Sequence, residues 1–595
     1  MGEPLVAEGC GNDGLGKNEG RTRLLKCLLA GMIYLALAAA LSLPDLLHAG
    51  HGAVIGRANR DTAAFQWYLA WWPYAISHHI NPFYIHTVWQ PTGVNAAWTT
   101  SIPALAIVLW PITKLCGATA ALNTALLLSP ALSAWAAYGM NMEICDAFWP
   151  SLFGGWLFGF SVYEITQMQY DLNLAVLFVL PAGVWLFVRR LRGRMGRITF
   201  IAAFAMLWCF EFGVFTEAFA ISVLFGGLIL LMVLTMARGD VDFLALWRTA
   251  AESVLSLIVA VAVLTPLFLL PLVRGYMRGP IWSHRANSVD LASLMMPSQY
   301  VWFGAAWARH LWQQFPATGA VPSQVGYLGV PLILLLGIYF RKSSSSRTGR
   351  LLLIIFSSAI LLSLGPRLKV LGYSLWCSLP WTYISHLPLL DKALPFRVFS
   401  YATLAASAAS ALWLAGADPL RRKLILSSLV ILTLFPNIPA GIGTGRYANP
   451  PFFRQGYCRH DLRPNETVLI LPFVSHLPVM LWQEENGFRF SMVNGFTGWT
   501  PINFKWPSHI SACLALRSDP PSDHGPQLIK FLHAHRVGAV ILTSHPGPIS
   551  DAAVAPLHVR PIHIGGVWLY KVPPPSRSPP PDHDVCPTTA LPGRR

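Results

Sequence analysis

Long runs of apolar residues, separated by short polar segments, dominate the first three quarters of the chain. Many of these runs approach the ~20 residues that an α-helix needs to cross a bilayer. All crossings are expected to be helical, because lipid offers no hydrogen-bond partners to an open sheet. The pattern predicts eleven crossings, at 24–43, 118–140, 148–163, 172–188, 198–212, 217–236, 249–273, 326–340, 351–364, 401–415 and 424–442.

The apolar run at 101–115 is interpreted differently, because it is short and contains Pro103 and Pro111. We expect it to be re-entrant or interfacial. If it were a crossing, the arginine-rich loop at 189–197 would move to the opposite side of the membrane.

The composition agrees with a polytopic membrane protein. Hydrophobic residues make up 54% of the chain and charged residues only 12%, against about 25% charged residues in soluble domains. The net charge of +16 comes mainly from basic residues in short loops between the apolar runs, so no nucleic-acid partner is expected. The nine cysteines form no CxxC pair, which argues against a zinc site.

The basic loops predict the orientation of the chain, because Lys and Arg accumulate in cytoplasmic loops. The arm at 1–23 and the loops at 189–197, 237–248, 341–350 and 418–423 are assigned to the cytoplasm. The run at 24–43 is interpreted as a retained signal anchor. The outward-facing segments are then 44–100, 163–171, 274–325, 366–400 and everything after 442. Functional residues are expected on that outer side, where the longest polar stretches lie.

The C-terminal region at 443–572 has the pattern of a small α/β domain outside the membrane. A helix is predicted at 526–536, and segments rich in β-branched and aromatic residues predict strands at 466–473, 537–545 and 565–572. The Pro-rich tail at 573–595 is expected to be disordered. The membrane domain itself is expected to occupy 24–442.

One acid in the first outer loop is a candidate for chemistry. Asp61 begins the segment "DTAAFQWYLAWWPYAI" (61–76). An amphipathic helix lying in the headgroup plane is expected from a stripe with i, i+3, i+4, i+7 spacing: Phe65, Tyr68, Leu69 and Trp72. A carboxylate at such a boundary can act as a general base, or it can be an ordinary exposed loop acid.

Three segments together resemble the bacterial GT-C superfamily of integral membrane glycosyltransferases. They are the segment at 61–76, "HHINPFYIHTVWQPTGVNAAWTTS" (78–101) and "FGFSVYEITQMQYDLNLAVLFVLP" (158–181). The layout is also similar: a cytoplasmic start, one span, a long outer loop with an acid, many further spans and an outer C-terminal domain. The resemblance covers roughly residues 20–440.

The resemblance implies an all-α, GT-C-like membrane fold in a bacterial cytoplasmic membrane. It also implies that a sugar passes from a polyprenyl-phosphate carrier to a lipid, glycan or protein acceptor on the outer face. Asp61 matches the acid that serves as base or helps to bind a metal in that family, and as base it would act in a single displacement that inverts the anomeric centre. Aromatic neighbours would raise the basicity of this carboxylate by desolvation.

The remaining candidate residues lie in the predicted outer segments. The leaving phosphate needs cations, ideally the planar fork of arginine, and the candidates are Arg397, Lys392 and Arg285. Candidates for binding the sugar or the acceptor are Glu164, Gln167, Asp171, Asn173, Glu217, Asp290, Trp71 and Trp72. For Asp290 the alternative is a helix N-terminal acid, and for the others it is an ordinary polar turn or membrane anchor.

No cofactor is expected, and a divalent metal ion stays open as the alternative. Some GT-C enzymes pair two acids in the first loop around a divalent cation, but here Thr62 and Ala63 follow Asp61. Two alternative functions stay open from the sequence. One is a transporter or flippase of lipid-linked sugars, and the other is a non-enzymatic membrane assembly protein.

Overall fold

The computed structural model describes residues 13–50, 52–237, 242–269, 271, 282–315, 324–387, 390–438, 442–473, 477–498, 501, 504, 510–543 and 547–573. The predicted disordered tail lies outside the described residues except for its first residue. The first twelve residues of the predicted cytoplasmic arm also lie outside them.

The chain is mostly helical. In the part before residue 443, the α-helices are α1 (Asp13–Ala49), α2 (Arg60–Ser77), α3 (Pro103–Val108), α4 (Trp110–Cys116), α5 (Ala118–Cys145), α6 (Phe148–Gly159), α7 (Val162–Gln167), α8 (Leu172–Ala175), α9 (Val179–Leu191), α10 (Arg197–Val214), α11 (Thr216–Met236), α12 (Phe243–Leu264), α13 (Ala305–Gln313), α14 (Val330–Lys342), α15 (Arg347–Ser363), α16 (Trp381–Ile384), α17 (Phe399–Ala415) and α18 (Leu420–Leu434). The later helices are α19 (Pro451–Arg454), α20 (Cys458–Asp461), α21 (Val479–Glu485), α22 (Ser511–Leu514), α23 (His524–Ala534) and α24 (Pro548–Val554).

Seven helical segments of the described chain are long and apolar enough to cross a membrane. They are Gly20–Ala49, Ala118–Cys145, Leu172–Leu191, Arg197–Val214, Thr216–Met236, Phe243–Phe268 and Pro395–Ala415. Each overlaps one of the predicted crossings. The other four predicted crossings fall on α6, α14, α15 and α18, which have 12, 13, 17 and 15 residues. The chain is therefore a multi-pass membrane protein, and the predicted number of eleven crossings is not confirmed.

The segment at 101–115 contains two short helices, α3 and α4, of six and seven residues. Neither approaches the ~20 residues of a transmembrane helix. Pro103 and Pro111 each lie in the first turn of one of these helices, where the missing N–H costs no hydrogen bond. This agrees with a segment that does not span.

Ion pairs connect basic loops that the charge pattern assigns to one side of the membrane. Arg194 lies 2.6 Å from Glu143 at the end of α5. Arg190, at the end of α9, lies 2.6 Å from Glu252 of α12. These contacts connect the ends of α5 and α9 with α12, as expected if their connecting loops share one face.

The described strands are β1 (Val54–Ile55), β2 (Tyr84–Ile85), β3 (Val94–Asn95), β4 (Arg367–Val370), β5 (Tyr373–Ser378), β6 (Thr444–Gly445), β7 (Thr467–Leu471), β8 (Ser491–Met492), β9 (Val537–Leu542), β10 (Ile562–Ile564) and β11 (Val567–Lys571). The C-terminal sheet has the order β10-β11-β9-β7-β8. Strand β7 runs parallel to β8 and β9, whereas β9, β11 and β10 pair antiparallel. The three predicted strands and the predicted helix α23 are confirmed in this domain.

Helix α2 does not lie exposed in the headgroup plane, so that expectation is wrong. Twelve of its 18 residues are buried. The indole N–H of Trp67 donates to Gln483 Oε1 of α21 at 2.8 Å, and α2 also packs against α3 and α5. Bulky aromatic side chains on several faces of the helix explain the difference. They pack against the C-terminal domain as well as the membrane helices.

Candidate active site

The first turn of α2 presents Asp61. Asn59 caps this helix, because its side-chain oxygen accepts a hydrogen bond from the Thr62 N–H at 2.8 Å. A carboxylate at this position is favoured by the helix dipole. Arg60 Nε lies 3.8 Å from Asp61 Oδ2, and 41% of the Asp61 side chain is exposed. The carboxylate is therefore held by a capped helix and is open to solvent.

A second carboxylate, Asp171, lies close enough to interact with Asp61. The pKa of Asp171 is raised to about 7, mainly by burial and then by the charge of Asp61, while Arg397 opposes the shift. The pKa of Asp61 is also raised, mainly by the partial burial that leaves 41% of its side chain exposed, with Arg60 opposing. Two like charges that interact in this way titrate as a pair. The charge of Asp61 therefore opposes ionisation of Asp171.

Arg397 lies beside this pair and is itself bound to Glu217. Its Nη1 donates to Glu217 Oε2, and the Leu394 N–H donates to Glu217 Oε1 at 2.8 Å. Nε of Arg397 is buried and has no hydrogen-bond partner among the described residues. The side chain lines a cavity of about 40 Å³ together with Asn173, which is large enough for a water molecule. One donor of the guanidinium therefore remains available.

The start of the C-terminal domain contributes to the site. Strand β6 pairs antiparallel with β1, and the Gly56 N–H donates to the Gly443 carbonyl oxygen at 2.9 Å. The Tyr447 hydroxyl donates to the Asn59 carbonyl oxygen at 3.2 Å. Burial raises the pKa of Tyr447, and the charge of Asp61 raises it further. Sequence reasoning missed Tyr447, since no local pattern connects it with a helix cap 388 residues earlier.

The other two predicted phosphate-binding cations have separate partners. Lys392 lies over the Trp98 ring, with Nζ 5.8 Å from its centre, and pairs with Asp391 at 2.9 Å. Arg285 is exposed, and its Nε donates to Ser374 Oγ at 3.0 Å. Among the three predicted cations, Arg397 is the one that acts on the pKa of Asp171.

Three of the predicted sugar-binding residues are buried in the protein. Glu164, Gln167 and Asn173 have exposed fractions of 0%, 1% and 7%. Burial raises the pKa of Glu164 well above its ordinary value, and Ser133 opposes the shift. Asn173 faces the cavity that Arg397 lines. These residues border the site from within the protein.

Trp71 and Trp72 also take part in packing. The Trp71 indole N–H donates to the Pro82 carbonyl oxygen at 3.0 Å, and that of Trp72 donates to the Ser101 carbonyl oxygen at 2.8 Å. Both side chains are buried. They therefore fix the first outer loop around α2.

Asp290 stabilises the β4–β5 hairpin. Its carboxylate accepts hydrogen bonds from the backbone N–H groups of Ala292 at 2.9 Å, Leu371 at 3.0 Å and Gly372 at 2.7 Å. Leu371 and Gly372 both have positive φ angles, as a tight two-residue hairpin turn requires. The side chain is fully buried. This agrees with the alternative of a helix N-terminal acid, since Asp290 caps the short helical turn that follows it.

The described residues contain no group of three or more His, Cys, Asp or Glu side chains arranged to hold a metal ion. Asp61 and Asp171 could supply two carboxylate ligands to a hard divalent cation, which prefers oxygen ligands. The pair supplies fewer protein ligands than an all-protein calcium site would have.

The fold is similar to those of two solved membrane glycosyl- and oligosaccharyltransferases. The mycobacterial arabinofuranosyltransferase AftD has a TM-score of 0.54 and 12% sequence identity, over 92% of this chain and 40% of that chain. The oligosaccharyltransferase AglB of Archaeoglobus fulgidus, in complex with an inhibitory peptide and a dolichol-phosphate, has a TM-score of 0.50 and 11% identity. That match covers 87% of this chain and 69% of that chain. The expected GT-C resemblance is confirmed as a likeness of fold, and this chain spans only 40% of the length of AftD.

Residues 31–421 match the family described as "Domain of unknown function (DUF6311)", and the chain belongs to this family. No curated protein matches the chain by sequence.

Proposed function

We propose that the protein is a membrane glycosyltransferase that moves a sugar from a polyprenyl-phosphate carrier to an acceptor on the outer face of the membrane. The observation that carries the proposal is the pairing of two carboxylates beside Arg397: Asp61 at the start of a capped helix, and Asp171 in the turn that precedes α8. The GT-C fold supports it. Polyprenyl phosphate is the proposed carrier because the resemblance to GT-C glycosyltransferases implies it.

Asp61 is the proposed general base. The acceptor hydroxyl attacks the anomeric carbon of the donor sugar and passes its proton to an Asp61 carboxylate oxygen. The bond between that carbon and the phosphate oxygen breaks, and its electron pair leaves with the polyprenyl phosphate. A raised pKa makes the ionised carboxylate a stronger base, and 41% exposure lets an acceptor reach it. One displacement of this kind inverts the anomeric centre.

Arg397 is the proposed partner of the leaving phosphate. A guanidinium supplies five N–H donors, and Glu217 occupies only part of this set. Within the described part of the chain the buried Nε has no hydrogen-bond partner, so it can donate to a phosphate oxygen on which charge develops. Glu217 would then act as a positioning residue that fixes the orientation of the guanidinium.

Asp61→Asn tests the base. The purified full chain in detergent would be incubated with a panel of radiolabelled polyprenyl-phosphate sugars and a membrane glycan extract, and release of polyprenyl phosphate would be measured. We expect a loss of about 10²–10⁴-fold in transfer rate, the usual contribution of a general base. Asp519→Asn, which changes an exposed acid of the C-terminal domain, is expected to retain activity.

The two alternative functions predict different results in the same assay. Normal transfer by Asp61→Asn would remove Asp61 from the mechanism. A transporter or flippase would show no transfer in detergent but would move the labelled lipid across reconstituted vesicles. An assembly protein would show neither activity.

A further inference from the structure

A polar cleft of about 450 Å³ opens next to the residues that carry the carboxylate pair. It is lined by residues 56–58, Gln169, residues 299–300, Arg309 and residues 442–446. Its volume lies within the range of about 300–1,000 Å³ that is typical of small-molecule sites. None of these residues belongs to a candidate membrane span. The cleft is therefore suited to a water-soluble group rather than to a lipid chain.

The charge in this cleft is positive and unbalanced. Arg57, Arg309 and Arg446 line it and are exposed, and no acidic residue lines it. In the described chain, none of the three pairs with a carboxylate within 4.0 Å. By contrast, Arg397 beside the carboxylate pair is bound to Glu217. Three arginines in one cleft attract anions, because a concave surface focuses the potential of its charges.

The floor of the cleft is built by close backbone contacts. Gly56 has φ +78°, and a Cβ there would lie 2.7 Å from Gln169 Cα. A Cβ at Gly445 would lie 2.0 Å from the Ala58 nitrogen. The Arg57 N–H donates to the Gln169 carbonyl oxygen at 3.1 Å. These contacts fix the first outer loop, the 167–171 turn and the start of the C-terminal domain relative to one another.

The walls of the cleft carry the amides and aromatic hydroxyls that suit a saccharide. Gln299 Nε2 donates to the Tyr300 hydroxyl at 2.9 Å, and Arg309 Nε donates to Gln299 Oε1 at 2.9 Å. Arg57 lies 5.0 Å from the centre of the Tyr170 ring. Arg57 and Arg309 are thus each oriented by a neighbour while keeping N–H groups of the planar fork for a ligand.

We infer that this cleft binds an anionic group, a carboxylate or a phosphate, carried by the acceptor saccharide. The inference rests on the proposed function and adds the chemical class of the acceptor. Arg57 precedes Asp61 by four positions, and Gln169 precedes Asp171 by two. A saccharide held by its anionic group in the cleft would therefore extend toward the carboxylate pair, where one of its hydroxyls meets the base.

Binding of a defined anionic saccharide tests this inference without requiring transfer. The probe is tetragalacturonate, titrated against the purified full chain in detergent by microscale thermophoresis, with its uncharged methyl ester and inorganic phosphate as further arms. The test variant combines Arg57→Gln, Arg309→Gln and Arg446→Gln. A matched control removes the same charge from exposed arginines outside the cleft, by Arg517→Gln, Arg536→Gln and Arg560→Gln.

We expect the test variant to bind tetragalacturonate at least tenfold more weakly than the parent chain and the control. We also expect the parent chain to bind the methyl ester at least tenfold more weakly than the acid.

Binding of tetragalacturonate that phosphate does not displace would assign the cleft to uronate carboxylates. Saturable phosphate binding, lost in the test variant alone, would assign it to a phosphate-bearing acceptor. Equal binding of acid and ester, equal losses in variant and control, or no binding of either anion would overturn the inference. Because Asp61 is intact in every variant, such a failure is distinct from failure of the Asp61→Asn transfer test.

Discussion

At the residue scale, the chemistry of Asp61 depends on a partner from a different part of the chain. An exposed acid at a helix start is ordinary, and it gains a raised pKa here because the protein surrounds it. The same charge raises the pKa of Asp171. The two residues therefore share their protonation, and a change at one of them alters the other.

Asp171→Asn should shift the pH dependence of transfer. Because two like charges oppose each other's ionisation, we expect removal of the Asp171 charge to lower the pKa of Asp61, so that the rate reaches its plateau at a lower pH than in the parent chain. The measurement is the transfer rate between pH 5 and pH 9. Asp171→Glu retains the charge and serves as the control. If the rise of the transfer rate at low pH occurs at the same pH in Asp171→Asn as in the parent chain, the proposed interaction between Asp61 and Asp171 is contradicted.

The same substitution has a consequence for stability that does not require activity. Because the pKa of Asp171 is raised from 3.8 to about 7, the folded chain favours the protonated form, and stability is lost as the pH rises between these two values. Asp171→Asn should therefore raise the Tm relative to the parent chain more at pH 8 than at pH 4.

At the element scale, the approach to helix α2 brings the two carboxylates together. Residues 54–57 pair with strand β6 and contact the 167–171 turn through backbone hydrogen bonds. Asn59 then begins α2. Gly56 allows this path, because its positive φ and its contact with Gln169 leave no space for a side chain.

Gly56→Ala should separate Asp61 from Asp171 and reduce transfer by at least tenfold, with a lower Tm. A left-handed conformation alone costs about 1–2 kcal/mol in a non-glycine residue, and the contact at 2.7 Å adds displacement of the backbone. Gly52→Ala is a matched control, since Gly52 has φ +79° but nothing within 4 Å of a Cβ. The measurements are transfer rate and thermal unfolding of both variants. Equal effects in the two variants would show that the backbone strain matters and the contact does not.

Elements with a strong local pattern could be predicted from the sequence. Strands β7, β9 and β11 follow from runs of β-branched and aromatic residues, and the seven long helices follow from uninterrupted apolar runs. Helix α2 was predicted as a helix but placed in the wrong environment. Its aromatic residues indicate burial or an interface equally well, and only contacts such as Trp67 with Gln483 decide between them.

At the scale of the whole molecule, the candidate site is formed by segments far apart in sequence. Asp61 and Asp171 were each identified, but the interaction between them was not, because no periodic pattern connects their two segments. Tyr447 and the three-arginine cleft depend on pairing of β1 with β6, which is two residues long on each side. Such short pairings carry no sequence signal of their own.

The whole chain should be oriented with its basic loops in the cytoplasm and the candidate site outside. Ion pairs such as Arg190 with Glu252 hold the basic helix ends together, and Lys and Arg are retained on the cytoplasmic side. We expect a cysteine introduced by Asp519→Cys to react with a membrane-impermeant maleimide in intact cells. A cysteine introduced by Ser345→Cys, in the loop predicted to be cytoplasmic, should react only after permeabilisation. Ser345 and Asp519 are both exposed in the structure, so burial would not prevent labelling at either position. Labelling is measured as the gain over the parent chain, and the reverse pattern would invert the orientation and remove the site from the outer face.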